Sequence, residues 1–171
     1  LQRAVHMAAG FGVEGDDVTR INASDFYAEN ISFENAWGVE TQSGPMALAI
    51  RNTADRAAFY NCRFRSYQDT WYTDEDAVNN RTYANNCWIE GAVDYFYGEG
   101  NAYIENTKFY NKRSGSVVTA PCHKAGTLWG YVFQNDTIDG TANANDGTQK
   151  LGRPWNNDPI AVYLNTTMNI S

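Results

Sequence analysis

The chain has 171 residues, enough for one domain with a substantial core; 43% are hydrophobic and 14% aromatic, which excludes a disordered polymer. Net charge is −7, the wrong sign for neutralising a nucleic-acid backbone, and no run of roughly 18 apolar residues occurs. Neither a nucleic acid nor a membrane is therefore an expected partner. The three cysteines (Cys62, Cys87, Cys122) form no CxxC pair, and the two histidines, His6 and His123, lie far apart. No disulfide framework and no metal site are expected. Leu1 opens the chain without a methionine or an apolar leader, and Ser171 falls inside a repeat. Both ends read as cuts, so residues 1–171 are expected to be one domain, incomplete at both ends.

That repeat has the pattern apolar, any residue, Asn, any two residues, apolar. It runs through Ala28–Phe33, Phe59–Phe64, Ala84–Ile89, Ile104–Phe109, Phe133–Ile138 and Tyr163–Met168. The intervals between its asparagines are 31, 25, 20, 29 and 30 residues. Short alternating runs rich in Tyr, Phe, Val and Ile predict strands, and almost nothing reads as a long amphipathic helix. Each unit is too small to bury its own apolar face, so the units must stack. An all-β, right-handed, single-stranded parallel β-helix satisfies these demands. In such a coil each asparagine tolerates the left-handed bend between strands and bonds to the asparagine of the next coil. Six Asn-x-Ser/Thr sequons occur, at Asn22, Asn30, Asn80, Asn135, Asn165 and Asn169. Three of them are repeat asparagines, which favours a structural role at those three. Terminal coils of the solenoid are expected to be missing.

Counting forward from the repeat asparagines brings two carboxylates to one phase. Asp69 lies eight residues after Asn61, and Asp94 eight after Asn86. In-register coils would place them on adjacent strands, roughly 4.8 Å apart. Two like charges that close cannot both ionise cheaply, so one carboxyl is expected to hold a proton. Arg153, in Leu151-Gly-Arg-Pro-Trp155, is the candidate to hold the ionised partner through two parallel hydrogen bonds. Trp155, Tyr72, Trp71 and Tyr97 would supply flat apolar faces for sugar rings. The bland alternative is that each aspartate is a turn former, Arg153 a surface ion pair, and many of the aromatics core.

At these residues the sequence resembles the pectin methylesterase (pectinesterase) family. The matching segments are Phe59-Tyr-Asn-Cys-Arg-Phe-Arg-Ser-Tyr-Gln68-Asp69-Thr-Trp-Tyr72, Ile89-Glu-Gly-Ala-Val-Asp94-Tyr-Phe-Tyr-Gly98 and Leu151-Gly-Arg-Pro-Trp155. Similarity runs from about Asp25 to the C-terminus, and the family fold is a right-handed parallel β-helix. The resemblance implies that Asp94 is a nucleophile for the C6 methyl ester of galacturonate. It makes Asp69 the general acid and then the general base, and Gln68 a hydrogen-bond donor to the oxyanion. Arg153 would orient Asp94, while Trp155, Tyr72 and Tyr97 would contact the sugar. No cofactor is implied; the partner would be methylated homogalacturonan, and a monomer is expected. Secretion, extracellular or periplasmic, follows from the substrate alone.

The sequence also departs from the family pattern. Met46 falls where the family has a second glutamine, and a thioether has no N–H to donate. Trp71, Glu99 and the segment Thr119-Ala-Pro-Cys-His123 differ as well. Cys62 and Cys87 each follow a repeat asparagine and should stack; free thiols are favoured over a disulfide. Three rivals remain: a polygalacturonase-like hydrolase, whose retaining form also pairs carboxylates; a pectate lyase, which would want an acidic calcium site; and an inactive carbohydrate-binding solenoid, favoured by Met46 alone.

Overall fold

A computed structural model describes residues 2–3, 17–74, 79–156 and 158–171; His6 lies outside them. Strands are numbered along the chain and fall into three parallel sheets. Sheet I stacks β2 (Thr19–Ile21), β5 (Ile50–Asn52), β8 (Trp71–Thr73), β11 (Phe96–Gly98), β14 (Val117–Pro121) and β17 (Lys150–Gly152). Sheet II stacks β3 (Tyr27–Glu29), β6 (Ala57–Tyr60), β9 (Arg81–Asn85), β12 (Asn101–Glu105), β15 (Tyr131–Gln134) and β18 (Ala161–Leu164). Sheet III stacks β1 (Gln2–Arg3), β4 (Ser32–Asn35), β7 (Arg63–Arg65), β10 (Trp88–Gly91), β13 (Lys108–Asn111), β16 (Thr137–Gly140) and β19 (Thr167–Met168). The chain visits sheets I, II and III in turn and pairs each strand with its counterpart one coil away. This is the parallel β-helix expected from the repeat.

The bend between sheets II and III explains the repeat asparagine. Asn30, Asn61, Asn86, Asn106, Asn135 and Asn165 all have φ between 49° and 59°, in the left-handed region. Asparagine occupies that region at low cost because its short side chain bonds locally. The side chains also bond between coils: Asn61 Nδ2 donates to Asn30 Oδ1 at 2.5 Å, and Asn165 Nδ2 to Asn135 Oδ1 at 3.4 Å.

Alternation along each strand sends one face inward. Phe59 and Phe64 meet edge to face at 5.5 Å, Phe59 and Trp71 at 4.9 Å, and Phe109 and Phe133 at 5.2 Å. Each such ring contributes roughly 1.5–3 kcal/mol by leaving water. Trp71 is fully buried among Phe59, Phe64 and Phe96, so it is a core residue and offers no face to a sugar. Cys62, Cys87 and Cys122 are all buried free thiols.

Candidate active site

The site lies along the outer face of sheet I and the bend that enters it from sheet III. Gln68 pairs with Val93 in an isolated parallel bridge, and the Asp69 N–H donates to Val93 O at 2.9 Å. One strand further on, Trp71 pairs with Phe96 and Tyr72 with Tyr97, the same 25-residue offset. Asp69 and Asp94 are therefore stacked on neighbouring coils. Both are buried, and both sit at left-handed bend positions, φ 59° and 47°. Aspartate suits such a bend for the same reason as asparagine.

Close packing around the bend fixes these backbones. A Cβ on Gly91 would lie 2.4 Å from Tyr95 Cβ and 2.9 Å from Thr70 Oγ1, so only glycine fits beneath the turn that carries Asp94. Thr70 Oγ1 in turn donates to Glu90 O at 2.9 Å. Glu90 anchors the same strand from outside, accepting from Arg65 Nε at 2.9 Å and Trp88 Nε1 at 2.6 Å. Burial opposes its charge, but Arg65, Trp88 and Arg63 hold its carboxyl below the usual range.

Arg153 reaches Asp94 from two coils away. Its Nε donates to Asp94 Oδ1 at 2.8 Å, and its Nη2 donates to Asp94 Oδ2. This two-pronged grip fixes the carboxylate plane. The hydrogen bond to Asp94 raises the Arg153 pKa, and the charge of Asp69 adds to the effect. Gly152 lets the arginine strand come close, since a Cβ there would lie 2.5 Å from Thr119 Oγ1. The guanidinium carbon also lies 5.3 Å from the centre of the Trp155 ring, and Trp155 is 53% exposed. Tyr72 and Tyr97 stack at 4.5 Å with an interplanar angle of 7°.

The Ala47 N–H donates to Gln68 O at 3.2 Å, just as the Asp69 N–H donates to Val93 O. Met46 thus stands level with Gln68 on the preceding coil, half-buried. Two arginine contacts were not singled out in the sequence. Arg51, which pairs with Tyr72 in the sheet, is held by Asp74 through Nε at 2.8 Å, and its guanidinium lies 5.4 Å from the centre of the Tyr72 ring. Asp74 also accepts from the Tyr72 hydroxyl at 3.1 Å; burial, then Asp74, pushes that hydroxyl's pKa up. Arg113 covers the Tyr67 ring at 5.4 Å and donates to Gln42 O at 3.3 Å, clasping the loop that leads to Met46. Coil offsets would have aligned Arg51 with Tyr72; nothing local in the sequence marks Arg113.

The other departures have structural roles. Glu99 forms an ion pair with Lys124. His123 is buried, accepting from Ile160 N–H at Nδ1 (3.1 Å) and contacting Gly100 O through Nε2 (3.2 Å). Burial lowers its pKa, so a neutral ring suits that pair of contacts.

The three stacked parallel sheets define the class of parallel β-helix solenoids. Within it, residues 14–171 match the Pectinesterase family model, so the chain belongs to the pectinesterase family. It is 38% identical to Pectinesterase 31 of Arabidopsis thaliana over 146 residues, 85% of this chain and 43% of that protein. Probable pectinesterase 50 of the same plant is 33% identical over 165 residues, covering 94% of this chain and 43% of the relative. Among solved structures, a pectin methylesterase from Aspergillus niger superposes with a TM-score of 0.86 at 26% identity, covering 96% of this chain and 53% of that one. A pectin methylesterase in complex with a hexasaccharide shares the fold at TM-score 0.84 and 24% identity, over 98% of this chain and 60% of that one. The chain thus spans less than half the length of these two plant relatives.

Proposed function

We propose that the protein removes methyl groups from pectin, hydrolysing the C6 methyl ester of galacturonate to carboxylate and methanol. The observation that carries this reading is the two-pronged Arg153 grip on Asp94 beside Asp69 on the adjacent coil. Asp94, gripped and oriented by Arg153, attacks the ester carbonyl carbon. Gln68 donates to the oxyanion of the tetrahedral intermediate; one such donor contributes about 2.7–4 kcal/mol. Asp69 protonates departing methanol, leaving an acyl-enzyme on Asp94, and then takes a proton from the water that hydrolyses it. Trp155, Tyr72 and Tyr97 position the sugar chain, with Met46 at its edge. The protein acts as a monomer outside the cell, where pectin lies, in cell-wall modification or pectin breakdown.

Methylated homogalacturonan should yield methanol without new reducing ends or unsaturated products. New reducing ends would instead identify a glycoside hydrolase, and unsaturated products a lyase. Met46 favours one second reading, a solenoid that binds the polymer without cleaving its esters. Binding with no methanol released would decide for it.

A further inference from the structure

A second pair of reactive groups is stacked between the coils that carry Asp69 and Asp94. Cys62 and Cys87 directly follow the bend asparagines Asn61 and Asn86, each seven residues before one of those aspartates. Their neighbours Arg63 and Trp88 are paired across sheet III, and the Trp88 N–H donates to Cys62 O at 2.9 Å. The Cys62 N–H points at Cys87 Sγ, 3.4 Å away. The neighbouring Cys87 thiol holds the Cys62 pKa down to about 7, while Cys62 and burial push that of Cys87 up. A surface recess of about 470 Å³, lined in part by Asn61, Cys62, Asn86 and Cys87, opens onto the pair.

We propose that Cys62 and Cys87 form a reversible cross-coil disulfide, a modification site that ties the two aspartate-bearing coils together. Stacked strands place the two Cα atoms roughly 4.8 Å apart, inside the usual disulfide span of about 4.4–6.8 Å. Their Cβ atoms, at about the same spacing, must draw in by a few tenths of an ångström, which keeps the bond reducible. The oxidant is a small-molecule disulfide such as oxidised glutathione. The Cys62 thiolate attacks one of its sulfurs, expels one glutathione thiolate and becomes a mixed disulfide. Cys87 then gives up its proton, attacks the Cys62 sulfur and expels the second glutathione thiolate. Two protein thiols are oxidised, and one small disulfide is reduced to two thiols. Cys122, buried on sheet I after β14, has no part in the exchange.

The test equilibrates the full-length protein with graded ratios of oxidised to reduced glutathione, starting both folded and from the denatured state so that burial cannot block the exchange. Alkylation after denaturation and peptide mass mapping then read each cysteine. The expected product lacks two hydrogen atoms, joins the Cys62 and Cys87 peptides, and leaves Cys122 alkylated. Its thermal midpoint should exceed that of the reduced form by about 5 °C. The Cys87→Ala variant should instead stop at a glutathione adduct on Cys62. Three alkylated cysteines at every ratio from both starting states, or a bridge to Cys122, would overturn the proposal.

Discussion

Met46 presents a thioether where a side-chain amide would supply a second donor beside Gln68. In the proposed reaction the oxyanion then relies on Gln68, and a missing donor of this kind costs about 10²–10³ in rate. Met46→Gln should therefore raise kcat by about 10- to 100-fold on methylated pectin, with little change in KM; an unchanged kcat would show that another group already fills the role. Asp136 is an acid away from the site. It is 1% exposed, and its Oδ1 accepts from Thr107 N–H at 2.7 Å. Oδ2 is buried without a hydrogen-bond partner among the described residues. Burial, with a smaller push from Glu105, raises its pKa to about 7. A carboxyl whose folded pKa is raised binds its proton more tightly folded than unfolded. Its contribution to stability is full below about pH 4, falls between about pH 4 and 7, and then levels off. Asp136→Asn should flatten that part of the stability profile in denaturant titrations at several pH values. An unchanged slope would contradict the assignment.

At the scale of the element, the bends were the most legible part of the sequence. A left-handed backbone position selects asparagine repeatedly, so six bends could be read without any knowledge of strand ends. The aspartate phase followed by counting, because Asp69 and Asp94 occupy the matching bend on the other side of the strand. Inside–outside assignment was less legible. Trp71 and Tyr72 are neighbours and must face opposite ways, but the bend at Asp69 breaks the alternation, so parity cannot be counted through it. Sequence alone therefore groups Trp71 with the sugar-facing aromatics, whereas it fills the core between Phe59, Phe64 and Phe96. Trp71→Ala should destabilise the fold by about 3–5 kcal/mol, measured by chemical denaturation. A loss under about 1 kcal/mol would deny it that place. Long-range clasps such as Arg113 over Tyr67 depend on loop paths that no periodicity encodes.

Across the whole molecule, stacking turns a sequence interval into a spatial distance: Asp94 and Arg153 are 59 residues apart in sequence yet share two hydrogen bonds. In the proposed reaction the chain's charge of −7 would also act at this scale, repelling a de-esterified, polyanionic pectin and favouring methylated stretches. Added salt screens such repulsion over about 10 Å at 0.1 M. Raising ionic strength should thus speed turnover of sparsely methylated pectin and leave highly methylated pectin almost unaffected; equal salt responses would remove charge as a selector. The central claim is that Asp94 is the nucleophile of a methylesterase. Its most direct test is methanol release from highly methylated pectin by the full-length parent and by its Asp94→Ala variant, with folding checked by circular dichroism. The account predicts release by the parent and none above background from a folded variant. Comparable release from both, or none from a folded parent, would contradict it.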